Sequence, residues 1–471
     1  MSDFNPLLSL ERLDVRNFRC FAECPLELHP NLTVLVAENG QGKTALLDAI
    51  RMALSVFVTT IGKSELGRAI ENPDIHRGWD SEHKLTPEFP SQFSASGRVN
   101  GETISWGRTV NRWSDRARNS TKALKQIQAA TRKLGAQLKQ GAQPADPVVL
   151  PLVAFYGTGR LFDEHRLTKD KRFVAAANPV RFSAYLDCLS PSSSYKAFAV
   201  WYEETMRKVS DPAYKTLGPE ERPEKAITAV KEAVKTVLTP TGWSEIDWEF
   251  PGKDEHGQAQ GHGYISVKHD NGVKLPLSQL SDGVRNMVAL VADIAHRCIR
   301  LNPHFGEDAA RLTPGILLID EIDMHLHPSW QQRVIRLLQD AFPLLQIIVT
   351  THSPHVLSTV DKESIRIVAL DENSHGATTI PAEQTRGDES GNVLSRAMHV
   401  NPVPDVGPAR LLSEYRGLVQ NGLDASDQAH ELWRKLVQHF GEGHHLLHEA
   451  AVLRDLQEFK REYGRQTGGT H

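Results

Sequence analysis

Apolar positions follow two different periods near the start of the chain. Leu10, Leu13 and Val15, then Leu26 and Leu28, suggest short strands, and Leu32 to Val36 is a continuous apolar run of the buried-strand kind. From Thr44 to Phe57 the period changes: Leu46, Leu47, Ile50, Leu54 and Phe57 recur at spacings of three and four, which predicts one apolar helix face. Strand, tight turn and helix therefore form the opening unit. Rough alternation on both sides of Asn100-Gly101 predicts a hairpin, because Asn-Gly favours the two-residue turn with positive φ. Between Asn111 and Lys139, Leu124, Ile127, Leu134 and Leu138 fall on a helical stripe, and Arg112, Arg116, Arg118, Lys122, Lys125, Arg132, Lys133 and Lys139 are opposed only by Asp115. That pattern predicts a basic amphipathic helix.

Further along, 140–147 reads as a loop, Val148 to Tyr156 as a strand, and Ser193 to Leu238 as predominantly helical. Pro251 to Gly263 is turn-rich, and Tyr264 to Leu277 carries a second hairpin signal at Asn271-Gly272. Apolar strands are expected at Ile316 to Ile319, Leu345 to Val349 and Ile365 to Leu370. Buried strands alternating with helices predict an α/β fold with a mixed, largely parallel sheet covered on both faces. Past about Asn373 the chain turns polar and then helical, with helical patterns at Pro408 to Leu418, Ala429 to Phe440 and His445 to Tyr463.

Composition narrows the class. With 40% hydrophobic and 24% charged residues over 471 positions, the chain is neither disordered nor fibrous, and its length suits two to four compact units. A net charge of −4 provides no overall basic field, so any nucleic-acid surface must be local. The four cysteines, Cys20, Cys24, Cys188 and Cys298, form no CxxC pair and are too sparse for a disulfide framework. No run approaches the ~20 uninterrupted apolar residues of a membrane span, and the polar start lacks the apolar core of a signal peptide. Together these features predict a cytoplasmic protein with no membrane partner.

Four segments carry chemistry. Ala37-Glu38-Asn39-Gly40-Gln41-Gly42-Lys43-Thr44 lies between the buried strand and the amphipathic helix, the context that a phosphate-binding loop requires. Its glycines let backbone N–H groups turn inward, the helix N-terminus contributes positive charge, Lys43 would reach the β- and γ-phosphates, and Thr44 would offer its hydroxyl to Mg²⁺. Ala37 stands where the usual pattern has glycine. Gly315 to Glu321 is an apolar strand ending in two acids: Asp320 would hold Mg²⁺, and Glu321 would accept a proton from an attacking water. Leu280-Ser281-Asp282-Gly283 opens another helix, which alone fits a simple N-cap as well as an anion contact. Thr350-Thr351-His352-Ser353-Pro354 follows the next buried strand and brings an imidazole to the same sheet edge.

Taken along the chain as phosphate loop, Leu-Ser-x-Gly helix start, strand with Asp-Glu and strand with His, the four segments resemble the ABC-type P-loop ATPase head of the RecF, SMC and OLD families. Val15-Arg16-Asn17-Phe18-Arg19 and Asp320-Glu321-Ile322-Asp323 running into His325-Leu326-His327-Pro328 sharpen the resemblance. It implies ATP and Mg²⁺ as cofactors, with two ATP held between two head-to-tail protomers. Asn39, Gly40, Gln41, Gly42, Lys43 and Thr44 would bind nucleotide, and Ser281 and Gly283 would contact the γ-phosphate held by the partner's Lys43. Asp323 would signal across the interface, and His352 would sense the γ-phosphate. The implied organisation is an N-terminal lobe with the phosphate loop at 1–110, a mostly helical insertion at 111–250, a lobe with signature, Walker B and histidine motifs at 251–372, and a helical extension for docking or oligomerisation at 373–471.

A narrower similarity rests on Leu152 to Arg160, Tyr185 to Leu189, Ser281 to Ala295 and Asp320 to Gln331. These look like the ATPase subunit of Septu-type anti-phage defence systems, the PtuA family, including retron-associated forms. The resemblance implies a homodimer or higher even oligomer and an HNH endonuclease partner of the PtuB kind, restrained while the ATPase holds ATP. A retron reverse transcriptase with its RNA/DNA hybrid, or phage DNA, is a further partner it allows. A RecF-like repair clamp without a nuclease partner is the alternative, and a permanently ATP-bound scaffold is a third reading. No Asp-x-Asp follows His352, so the nuclease centre of OLD proteins is not expected in this chain. The histidines at 444, 445 and 448 read as a surface cluster, and the basic stripe at 112–139 is the candidate nucleic-acid surface.

Overall fold

The computed structural model describes residues 7–62, 69–112, 124–139, 147–159, 181–190, 195–211, 223–250, 252–253, 259–260 and 263–467. The first strands are β1 (Leu8–Phe18), β2 (Phe21–Glu27) and β3 (Leu32–Val36), and the chain then enters the 20-residue helix α1 (Lys43–Gly62). Asn100 and Gly101, with φ of 51° and 79°, turn β4 (Ser91–Val99) into β5 (Glu102–Val110), as the Asn-Gly step requires. Strands β2-β1-β4-β5 form an antiparallel sheet in that order. Its buried face meets α1, where the Trp106 indole N–H donates to the Ala53 carbonyl at 3.0 Å.

α2 (Lys125–Lys139) occupies the second half of the predicted basic helix and packs on α1 and β5 through Ile127, Ala130 and Leu134. Residues 113–123, with Arg116, Arg118 and Lys122, lie outside the described residues. Lys133 is paired with Glu102 at 2.6 Å, which offsets one charge of the stripe. The strand expected from Val148 is shorter, β6 (Leu152–Tyr156), because Pro151 sits immediately before it. The helical region resolves into α3 (Tyr195–Ser210) and α4 (Pro223–Leu238), with 212–222 outside the described residues. Strands β7 (Trp243–Glu249), β8 (Tyr264–His269) and β9 (Lys274–Pro276) form a small antiparallel sheet, and Gly272 at φ 88° makes the expected β8–β9 turn.

The helix α5 (Asp282–Leu301) precedes β10 (Gly315–Ile319), α6 (Val334–Ala341), β11 (Leu345–Thr351), β12 (Ile365–Leu370) and β13 (Gly376–Thr379). The main sheet has the order β13-β12-β3-β11-β10-β6 and is parallel except for β13. It is therefore an α/β fold with a largely parallel mixed sheet beside an antiparallel lobe. Gln346 joins the two sheets: its amide accepts from Leu10 N at 2.9 Å and donates to Leu10 O at 2.7 Å and His29 O at 3.0 Å. α1 is long and apolar enough to cross a membrane by composition alone, but it is buried in this core.

A buried ion pair links helix to sheet. On α5, Asp293 accepts from Arg297 Nε at 2.9 Å and from the Tyr156 hydroxyl at 2.7 Å, and Arg297 also donates to the carbonyls of Ala184 and Leu186. Asp293 and Arg297 are only 1% and 4% exposed. Burial holds the Tyr156 hydroxyl far above its usual pKa, with the Asp293 charge adding to it.

The chain divides into two compact units, Met1–Met398 and His399–His471. The second contains α7 (Gly407–Gln420), α8 (Asp427–Phe440) and α9 (His445–Thr467), built around Leu412, Tyr415, Val419, Leu432, Leu436 and Leu447. In the histidine cluster, the His444 ring lies 4.7 Å from Phe440 and 4.5 Å from His445.

Candidate functional site

Parallel strands β3, β11 and β10 end at the same edge, so the loops that follow them meet there. The first is 37–42. Gly40 and Gly42 take φ of 84° and 89°, the left-handed conformations that fold this loop over the start of α1. Gly42 has a second constraint, since a Cβ there would come within 2.3 Å of the Phe21 ring. The Gln41 amide oxygen accepts from Leu370 N at 2.8 Å and fixes the loop to β12. Asn39 and Gly40 are exposed at the tip.

Lys43 opens α1 and curls back into its own loop, where Nζ donates to the Ala37 and Glu38 carbonyls at 2.8 and 3.2 Å. Burial lowers its pKa, and the charges of Asp320, Glu321 and Asp323 pull the other way. The adjacent Thr44 hydroxyl is 3.3 Å from Asp320 Oδ2, so loop and acidic strand end share one point.

At the end of β10 the backbone turns sharply. Asp320 N donates to the Tyr156 carbonyl at 2.8 Å, and Glu321 adopts a left-handed φ of 49°. Thr350, next to the last residue of β11, organises both acids: its hydroxyl donates to Asp320 Oδ1 at 2.6 Å and accepts from Glu321 N at 2.7 Å. One residue on, the Thr351 hydroxyl donates to Asp323 Oδ1 at 2.6 Å. Ser353 caps the helical turn after it and donates to Gln331 Oε1 at 2.7 Å. His352 stands half-buried between these two fixed neighbours. Gln331 in turn donates to the Leu326 carbonyl at 2.9 Å and holds the loop after Asp323. Sequence reasoning assigned no role to Thr350 or Gln331; threonine is an ordinary strand residue, and its bridging position shows only in three dimensions.

Ser281 and Gly283 lie elsewhere. Together with Thr241, Trp243, His325, His327, Trp330 and Arg333 they line a cleft of about 960 Å³ to which none of residues 37–44 contributes. The Ser281 side chain makes no cap to its own helix. Gly283 packs directly on the loop after Asp323, where an added Cβ would stand 2.7 Å from the His325 carbonyl oxygen. Within one chain the structure thus brings Lys43, Thr44, Asp320, Glu321, Asp323 and His352 to one edge, and Ser281 and Gly283 to another place.

The sequence has counterparts among known proteins. An AAA-domain family model matches residues 12–233, and a second AAA-domain model, described with the AbiEii toxin of type IV toxin–antitoxin systems, matches residues 183–358. The "Retron Ec83 probable ATPase" of Escherichia coli is 27% identical, with 94% of this chain and 87% of that protein aligned. The "Retron Vc95 probable ATPase" of Vibrio cholerae is 24% identical over 93% of this chain and 88% of its own length. The "Septu protein PtuA" of Bacillus thuringiensis is 43% identical over 23% of this chain and 28% of that protein. Along nearly its whole length the chain is thus similar to retron ATPases, and over shorter stretches to AAA-domain families and a Septu protein.

Within the site, Thr350 has the most direct hold on the acids. Thr350→Val, which keeps the shape and removes both hydroxyl bonds, is expected to lower ATP turnover about tenfold with little change in nucleotide affinity. Unchanged turnover in a phosphate-release assay would show that the hydroxyl bridge does not position the acids.

Proposed function

We propose that the chain binds and hydrolyses ATP with Mg²⁺ in head-to-tail pairs, and that as the regulatory subunit of an anti-phage defence system it controls a separate HNH nuclease. The observation that supports this reading is that Lys43, Thr44, Asp320 and Glu321 share one sheet edge, while Ser281 and Gly283 line a cleft to which residues 37–44 do not contribute. In this reading a second copy would supply Ser281 and Gly283 opposite Lys43.

The residues present suit nucleotide and metal. The Thr44 hydroxyl beside the Asp320 carboxylate is a hard oxygen pair fitted to Mg²⁺, and the positive-φ glycines leave backbone amides and Lys43 for phosphate. Bound Mg²⁺ would neutralise charge on the β- and γ-phosphates. Lys43 would exchange its two carbonyl partners for phosphate oxygens. Glu321, its backbone fixed by Thr350, would take the proton of the attacking water, and His352 would meet the γ-phosphate from the end of β11. Asn39, Gly40, Gln41 and Gly42 would complete the cradle, and Asp323 would face the second copy.

The defence assignment draws on the retron-named relatives that align along nearly the whole chain. Its test is co-purification from the native gene neighbourhood, with mass analysis of every bound protein and nucleic acid, for wild type and Lys43→Ala. An HNH protein retained by wild type and lost from Lys43→Ala is the expected result. A bare dimer that binds only DNA ends or gaps would replace this reading with a RecF-like repair clamp.

A further inference from the structure

Tyr156, the last residue of β6, is held at both of its ends. Its carbonyl, beside Ile319 in the parallel register, accepts from Asp320 N at 2.8 Å, at the first residue after β10. Its hydroxyl donates to Asp293 Oδ2 on α5 at 2.7 Å. One residue therefore joins the main chain at the acidic strand end to the helix whose N-cap is Ser281. The side chain is 1% exposed, and burial keeps its hydroxyl protonated, so it stays a donor across the neutral range.

Asp293 relies on that hydroxyl for its tie to the main sheet. Oδ2 takes the bonds from Tyr156 and from Arg297 Nε at 2.9 Å, and Oδ1 meets no donor among the described residues. Arg297 lies one turn further along the same helix and reaches the carbonyls of Ala184 and Leu186, which are not in that sheet. Asp293 stands twelve residues beyond Ser281, about 18 Å along the helix. A shift of α5 would thus be drawn through the hydroxyl to Tyr156 and, through the carbonyl of the same residue, to the Asp320 peptide. The Asp320 carboxylate meets the Thr350 hydroxyl at 2.6 Å and the Thr44 hydroxyl at 3.3 Å, so its placement decides what oxygen pair is offered to Mg²⁺. We propose that Tyr156 is a positioning residue of the nucleotide site, which sets the Asp320 backbone from the position of α5 and so lets contact at the Ser281 cleft adjust the carboxylate beside Thr44. The inference rests on the ATPase reading above.

Tyr156→Phe removes the hydroxyl and leaves ring and backbone in place. In the full-length protein without nucleotide, amide exchange of the peptide that contains Asp320, read by mass spectrometry, is expected to rise at least about fivefold, while peptides of α1 and β5 keep their rates. A variant that had only lost stability would exchange faster in every element. With ATP and Mg²⁺, turnover is expected to fall about tenfold with KM within about twofold of wild type. Should the single variant fold poorly, Tyr156→Phe with Asp293→Leu and Arg297→Met gives strand and helix an apolar contact without a hydrogen bond. That triple variant is expected to unfold in urea near the wild-type midpoint and to keep the low turnover. Unchanged exchange at Asp320, unchanged turnover, or turnover that returns with stability in the triple variant would each overturn the proposal. A wild-type chain that does not turn over ATP would remove the ATPase reading and this proposal together, whereas normal wild-type turnover with an indifferent Tyr156→Phe would remove the proposal alone.

Discussion

Glu321→Gln is expected to lower ATP turnover by about 10² to 10⁴ while nucleotide binding persists, because the amide keeps the shape of the carboxylate but cannot accept a proton. The backbone favours so clean a separation. Glu321 sits at φ 49° with its N–H on the Thr350 hydroxyl, so the side chain leaves the sheet edge in a direction fixed by main-chain bonds that the substitution does not touch. Phosphate release measured beside binding of a fluorescent ATP analogue reads the two effects apart. Turnover within twofold of wild type would remove Glu321 as the base and favour a chain that holds ATP as a permanent structural part.

Asp293→Ala is expected to cost about 3–5 kcal/mol of stability, the usual penalty for leaving one member of a buried ion pair without the other. Arg297 would keep only the carbonyls of Ala184 and Leu186, inside a core where it is 4% exposed, and the Tyr156 hydroxyl would lose its acceptor. Urea unfolding followed by tryptophan fluorescence measures the loss. Asp293→Leu combined with Arg297→Met should recover much of it, since an apolar pair of similar volume carries no unpaired charge. A single-variant loss below about 1 kcal/mol would mean that water or backbone rearrangement satisfies Arg297 without its carboxylate.

The parts of the fold that could be read from the chain are those where periodicity and turn chemistry agree. Leu32 to Val36, the glycine loop and the helix after it form one such block, and the two Asn-Gly hairpins are another. β13 was not visible. Gly376–Thr379 is a short edge strand without alternation, following a polar stretch, and it forms because β12 offers an open edge. Gln346 and Asp293 were equally hidden, since a polar residue inside an apolar segment reveals nothing of its partner until β1 and β6 are folded against it. Within the site, the order of the four motifs was legible, but Thr350 and Gln331 hold those motifs in position through contacts between separate loops, which linear spacing does not encode.

The close approach of Gly283 to the His325 carbonyl has a consequence for timing. Main chain rests on main chain there, with no side chain between to absorb a shift, so the start of α5 and the loop leaving Glu321 must travel together. In the head-to-tail pair proposed above, those two segments would serve different nucleotides. A shift of that loop at one nucleotide would then reach the start of α5 at the other, and the two ATP molecules of the proposed pair would be spent in alternation or in concert.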